Sequence, residues 1–238
     1  MSIFTRLGYF FKDLKSLLIL NVRLISGMWR LTKLPHPIVT VFGGSRITPD
    51  SPYARKAQYL TKMLAAEGYS IVTGGGPGIM EAANKGAMDH LRECHLGDWE
   101  CPPILSAGIG LVRLNKEKAN PFVQENIIEE YFFARKWLLV RYSTAFVIFP
   151  GGFGTLDELF EIVTLAQTDH MQKAPIILME SHYWQPIIDW AETRALKENL
   201  ITLEDIKLIQ VVDDSETAFE IINKSFIRKK NGNLDHQM

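Results

Sequence analysis

The sequence predicts an α/β domain: an open, doubly wound parallel sheet with helices on both faces. Three observations carry that expectation. Short runs at 38–42, 70–73, 145–149 and 175–179 are apolar throughout and alternate with helical patterns, as strands buried on both faces do. Three of the strand ends pass through glycine-rich turns straight into the next helix. The composition, 47% hydrophobic and 22% charged over 238 residues, supports one generous core and excludes the disordered class.

Taken in order, residues 1–37 read as a basic amphipathic helical extension, closed by Pro35 and Pro37. The main domain covers 38–227. Strand 38–42 ends in Gly43-Gly44, and the helix at 53–67 is stopped by Gly68. Strand 70–73 ends in Gly74-Gly75-Gly76-Pro77-Gly78 and leads into a helix at 79–91. A strand falls within 104–112, a helix covers 126–142, and strand 145–149 ends in Pro150-Gly151-Gly152. Helix 155–168, strand 175–179, helix 184–197, strand 208–212 and helix 215–226 complete the series. The polar tail at 228–238 is expected to fray.

Charge is unevenly spread. Residues 1–34 hold Arg6, Lys12, Lys15, Arg23, Arg30 and Lys33 against Asp13 alone, a local charge of +5. With a net charge of −1, the remainder carries −6, so no basic footprint for nucleic acid covers the molecule. Within the extension, Phe4, Leu7, Phe11, Leu14, Leu18, Val22, Ile25 and Trp29 recur every three or four residues, with the basic residues off that line. Such a stripe packs on the domain or a second subunit, the favoured expectation, or makes peripheral contact with an anionic membrane.

No run of 18 uncharged apolar residues occurs, and the apolar run at 16–22 is short and flanked by Lys15 and Arg23. Neither a spanning helix nor a signal peptide is expected. Cys94 and Cys101 are too few for a disulfide scaffold and fit a reducing, cytoplasmic setting. With His90 and His95 they match no paired zinc spacing, and no metal is expected. Residues 92–103 read as a surface loop inserted between helix and strand.

In an open parallel sheet, ligands bind beyond the carboxyl ends of the strands. The loops around Gly44-Ser45, Gly75-Gly76 and Gly151-Gly152-Phe153-Gly154-Thr155 meet at that edge. Each allows close backbone approach, and a following helix offers free N–H groups and a positive dipole end, which together suit a phosphate. None matches G-x-x-x-x-G-K-[ST], and G-x-G-x-x-G fails because Ile79 stands where its last glycine belongs. Nucleoside triphosphate hydrolysis and dinucleotide oxidoreduction are therefore disfavoured. Glu158 falls in the first turn of the helix after the third loop, where it either reaches a loop-bound ligand or only complements the helix dipole. Arg135 and Lys136 lie among Tyr131, Phe132, Phe133 and Trp137.

The run Pro150-Gly151-Gly152-Phe153-Gly154-Thr155-Leu156-Asp157-Glu158 resembles the P-G-G-x-G-T-x-x-E motif of the LOG ("Lonely Guy") phosphoribohydrolases. Arg135-Lys136 is similar to that family's R-K motif, and the segment from Gly74 to Asn84 resembles bacterial members. The resemblance spans 38–226 and implies a Rossmann-like homodimer, or a higher homo-oligomer, working without a cofactor. It would cleave the N-glycosidic bond of adenosine 5′-monophosphate or its N6-modified (cytokinin) forms to free base and ribose 5-phosphate. Carried over, Arg135 and Glu158 are the catalytic pair. Gly44, Ser45, Gly75, Gly76, Lys136, Gly151, Gly152, Gly154 and Thr155 are the substrate and phosphate contacts. A related branch binds molybdenum cofactor without hydrolysis, which leaves a carrier role as the alternative. A lysine decarboxylase, a label some members carry, would need a Schiff-base lysine for pyridoxal phosphate, and none stands out. Trp137, Leu138 and Leu139 replace the family's continuation to Met, so the base preference stays open.

Overall fold

The computed structural model describes residues 3–97, 100–112 and 119–235. Seven parallel strands form one sheet: β1 (Ile38–Phe42), β2 (Ser70–Thr73), β3 (Ser106–Leu111), β4 (Glu125–Glu129), β5 (Ala145–Ile148), β6 (Ile176–Met179) and β7 (Ile209–Val212). Their order is β4-β3-β2-β1-β5-β6-β7. The chain winds outward from β1 to β4, then returns to place β5 beside β1, with Val39 opposite Ala145 and Phe42 opposite Ile148. That reversal opens a crevice at the carboxyl ends of β1 and β5.

Among the described residues, eight α-helices flank the sheet: α1 (Ile3–Leu31), α2 (Pro52–Ala66), α3 (Ile79–Leu96), α4 (Phe132–Arg141), α5 (Phe153–Gln167), α6 (Ser181–Trp190), α7 (Leu203–Ile206) and α8 (Ser215–Asp235). A π-helical turn, Ala191–Ala195, prolongs α6. Alternation along each strand divides the core into two layers. Val39, Val41, Ile71, Val147 and Phe149 pack with Leu60 and Leu64 of α2, Ala83 of α3 and Ile222 of α8. Ile38, Phe42, Val72, Ile109, Phe146 and Ile148 pack on the other face with Leu31, Leu138, Leu159, Ile162 and Trp184. Each fully buried large side chain contributes about 1.5–3 kcal/mol of burial free energy, so both layers are needed to hold the sheet.

Five sequence expectations are corrected. Residues 126–142 are not one helix: Glu125–Glu129 form the edge strand β4, and α4 begins at Phe132. Ile127 points into the core while Ile128 faces the crevice, the two-residue alternation of a strand. Residues 92–103 are not all loop, because α3 continues to Leu96 and places Cys94 in the interior. Cys94 is disulfide-bonded to Cys101, with Cα atoms 6.0 Å apart. The pairing joins the end of α3 to the segment leading into β3, against the expectation of two thiols. The tail does not fray at 228, since α8 runs to Asp235; residues 236–238 lie outside the described residues.

The fifth concerns α1, whose apolar stripe does not pack on the domain. A different line docks: Leu20, Gly27 and Leu31 are buried, with Leu24 and Met28 half-buried beside them. Gly27 permits the approach, since a Cβ there would lie 2.8 Å from Leu138 Cδ1 and 3.2 Å from Glu129 Oε1. Arg30 Nε donates to Glu125 Oε2 at 2.7 Å, and Arg23 Nη1 donates to the Ile128 carbonyl at 3.4 Å. No described helix is long and apolar enough to cross a membrane.

Candidate active site

A cleft of about 720 Å³ opens where the strand order reverses. Three glycine loops meet there because their backbones bond to one another. Gly44 N donates to the Pro150 carbonyl at 3.0 Å, and Ile79 N donates to the Gly44 carbonyl at 3.2 Å. Gly78, with φ of 72°, makes the second contact possible: a Cβ there would collide with the Gly44 carbonyl.

On the floor of the cleft, Arg135 Nη1 lies 3.0 Å from Glu158 Oε1. The pair comes from different helices. Arg135 sits in the first turn of α4, and its Nε donates to the Ile109 carbonyl at 2.8 Å, which fixes the guanidinium. Glu158 sits near the start of α5, following Gly152-Phe153-Gly154. Gly74 gives Arg135 its room, since a Cβ at that position would collide with Arg135 Nη2 and lie 2.8 Å from Met80 Sδ.

Glu158 is 5% exposed. Burial pushes its carboxyl above the ordinary carboxylate range, and the positive charges of Arg135 and Lys136 oppose the shift without cancelling it. Its Oε2 is buried with no hydrogen-bond partner among the described residues. A carboxylate with one oxygen held by arginine and one left unpaired in a cleft can accept a proton or face developing positive charge.

The predicted residues Gly44, Ser45, Gly75, Gly76, Gly152, Gly154, Thr155, Arg135 and Glu158 all line this cleft. Gly152 caps α5, and no side chain caps the helix start, so its first N–H groups point into the cleft mouth. Gly151 does not line the cleft; it packs behind, where a Cβ would collide with Thr155 Oγ1 and lie 2.9 Å from Gly44 N. Lys136 does not line it either. Its Nζ sits 2.8 Å from Asp157 Oδ2 and 3.0 Å from Glu161 Oε2. Burial works against its charge, but the bonds to Asp157 and Glu161 win and raise its pKa. Consecutive helical residues point about 100° apart, which turns Lys136 away from the floor that Arg135 occupies.

Sequence reasoning passed over the polar network beneath the second loop. Thr73 Oγ1 donates to Asn84 Oδ1 at 2.7 Å and accepts from Gly75 N at 2.9 Å. Asn84 Nδ2 donates to Ser106 Oγ, while Asn120 Nδ2 donates to Asn84 Oδ1 and to the Gly76 carbonyl, both at 3.0 Å. These bonds fix the loop from Gly74 to Gly76. The signal for Asn84 was an amide on the apolar face of α3, between Ala83 and Ala87. Arg46, exposed at the cleft mouth, and Asn126 and Phe132 on its wall were also missed.

Known proteins resemble this chain in sequence and in fold. The family model described as "Possible lysine decarboxylase" matches residues 80–222, and that of the SLOG cluster4 family matches 36–95. A cytokinin riboside 5′-monophosphate phosphoribohydrolase of Arabidopsis thaliana is 27% identical over 190 residues, covering 78% of this chain and 80% of that protein. A pyrimidine/purine nucleotide 5′-monophosphate nucleosidase of Escherichia coli (strain K12) is 30% identical over 210 residues; these cover 83% of this chain but 42% of that protein. Among solved structures, the molybdenum cofactor binding protein from Rippkaea orientalis superposes with a TM-score of 0.54 at 26% identity, covering 80% of this chain and 97% of that one. The Gly152–Thr155 loop, the Arg135–Glu158 pair and the 80–222 match lie within one continuous fold, and the chain belongs to the LOG family, whose domain carries the description "Possible lysine decarboxylase".

Proposed function

We propose that the protein hydrolyses the N-glycosidic bond of adenosine 5′-monophosphate or its N6-modified forms, releasing the base and ribose 5-phosphate. The observation that carries this is the buried Arg135–Glu158 pair on the floor of a cleft whose mouth is lined by a helix N-terminus. The 5′-phosphate rests on the N–H groups from Gly152 to Gly154 and the Thr155 hydroxyl, with Arg46 at the rim. The base departs with the electron pair of the N-glycosidic bond and leaves positive charge on the sugar; the Glu158 carboxylate stabilises that charge, takes a proton from the water whose oxygen adds to the sugar, and passes the proton on to the departing base. Arg135 holds the carboxylate oriented and can hydrogen-bond the sugar. The relatives named for 5′-monophosphate cleavage support this reading. We place the reaction in a homodimer, as the sequence resemblance implies.

A second reading, favoured by the likeness to the Rippkaea protein, is a carrier that holds a phosphorylated cofactor in the same cleft without turnover. Chromatography after incubation with AMP separates the two. Adenine and ribose 5-phosphate appearing together support the hydrolase; AMP bound without base release supports the carrier.

Two variants probe the cradle. Thr155→Ala removes a hydroxyl buried beside Gly151 and should weaken AMP about 10–100-fold, the loss expected for one hydrogen bond to a charged group. Adenosine affinity, read by the same calorimetry, should stay within a few-fold; equal weakening of both would put the phosphate elsewhere. Gly74→Ala forces its methyl into the space of Arg135 and should lower kcat/KM for AMP by about 10²-fold, as a misplaced catalytic group does. Unchanged kinetics would show that Arg135 position is immaterial.

A further inference from the structure

The face of α1 opposite its docked line is unassigned. From Ile3 to Ile19 no residue of the helix is buried, which leaves about 25 Å of helix clear of the domain. Phe4, Leu7, Phe11, Leu14, Leu18, Val22, Ile25 and Trp29 are all exposed, Val22 at 68% and Trp29 at 71%. At 100° per residue this stripe lies about 180° around the helix from Leu20 and Gly27, which are fixed against the sheet edge. The stripe therefore cannot close on its own domain while that docking holds. Eight large apolar side chains on one unpartnered helix face exceed what a monomer leaves to water.

Charge selects the occupant. Arg6, Lys12 and Lys15 are exposed and form no ion pair with any described residue, while Asp13 is the one acid on the helix. Laying a second copy's α1 along this stripe would bring two sets of these cations together, at a repulsive cost. An anionic lipid surface meets the same cations with opposite charge. Lys15 and, further round, Lys12 lie along one side of the stripe, and Trp29, at its end nearest the domain, suits the headgroup boundary.

We propose that α1 lies in the plane of an anionic bilayer surface, with the Phe4-to-Trp29 stripe at the headgroup–acyl boundary and Lys12 and Lys15 against lipid phosphates, so that the domain is held peripherally. The reading is independent of the chemistry in the cleft.

Flotation of the full chain tests it, with phosphatidylcholine vesicles carrying about 30 mol% phosphatidylglycerol compared with phosphatidylcholine alone. Binding should be at least about tenfold stronger on the anionic vesicles, and Lys12→Glu with Lys15→Glu should erase that preference. Phe11→Glu with Leu18→Glu should abolish flotation with an unchanged circular dichroism spectrum and melting temperature. If that variant misfolds, quenching of the unmodified protein by brominated lipid decides, because it should fall in Trp29→Phe. Failure to float on either vesicle, flotation that persists in a folded Phe11→Glu, Leu18→Glu variant, or quenching that is absent or unaffected by Trp29→Phe overturns the proposal. So does light scattering that shows this stripe assembling copies in solution without lipid binding.

Discussion

Glu158→Gln is expected to lower kcat for base release from AMP by about 10³-fold while AMP affinity changes by no more than a few-fold. The amide keeps the shape and the contact with Arg135, 3.0 Å away, but it carries no negative charge and cannot take a proton from water. Single-turnover kinetics and calorimetry on the same preparation separate the two effects. Equal loss of binding and turnover would make Glu158 a structural residue, and full turnover in the variant would falsify the mechanism. In the unmodified protein the raised carboxyl pKa should set the acid limb of kcat/KM. Glu158 works ionised, so activity should rise with pH through a midpoint above the ordinary carboxylate value and fall away below it. A midpoint at or below that value would assign the limb to another group.

Arg135→Ala should be the most destabilising change at the site. It strips a buried carboxylate of its cation and leaves the Ile109 carbonyl without the Arg135 donor. Breaking a buried pair from one side costs about 3–5 kcal/mol, or about 10 °C in Tm for a chain of this length. The loss has a definite pH sign. Burial already raises the Glu158 pKa, and removing Arg135 takes away the first of the charges opposing that rise. A group with a raised folded pKa gives stability that is complete below its unfolded pKa and is lost as pH rises through the folded value. The variant should therefore approach the unmodified protein in melting temperature under mildly acid conditions and fall furthest behind at neutral pH and above. A deficit independent of pH would mean that Glu158 is not the group left uncompensated.

The three glycine loops were legible in the sequence because turn chemistry is local: strand, glycine run and helix start lie within a dozen residues of one another. Arg135 and Glu158 came from motif resemblance, since a sequence separation of 23 carries no periodic sign that their side chains meet. Lys136 was named beside Arg135 from the same motif, but adjacency on a helix separates neighbouring side chains around the axis, and its Nζ lies against Asp157 and Glu161. Strand β4 escaped because five residues at a sheet edge, with Glu125 and Glu129 at its ends, show little apolar alternation. Those acids are tolerated because α1 covers them, a contact about a hundred residues away in sequence. The docked side of α1 was hidden for the same reason. Hydrophobic periodicity favours the line with the bulkiest residues, whereas packing chose the line where Gly27 lets two backbones come close.

The carboxylate of Glu129 gives the seam beneath α1 a chemical character of its own. Glu129 is fully buried, and neither of its oxygens has a hydrogen-bond partner among the described residues. Burial raises its pKa, and the attraction of Arg23 from α1 only partly offsets that rise. Dryness favours the neutral carboxyl, so water reaching Glu129 on any lifting of α1 from β4 would favour its ionised form. Detachment of the helix is thus linked to proton release. Linkage gives this contact a sign: the raised carboxyl pKa favours the packing of α1 on β4 toward acid and disfavours it as pH climbs through the raised value.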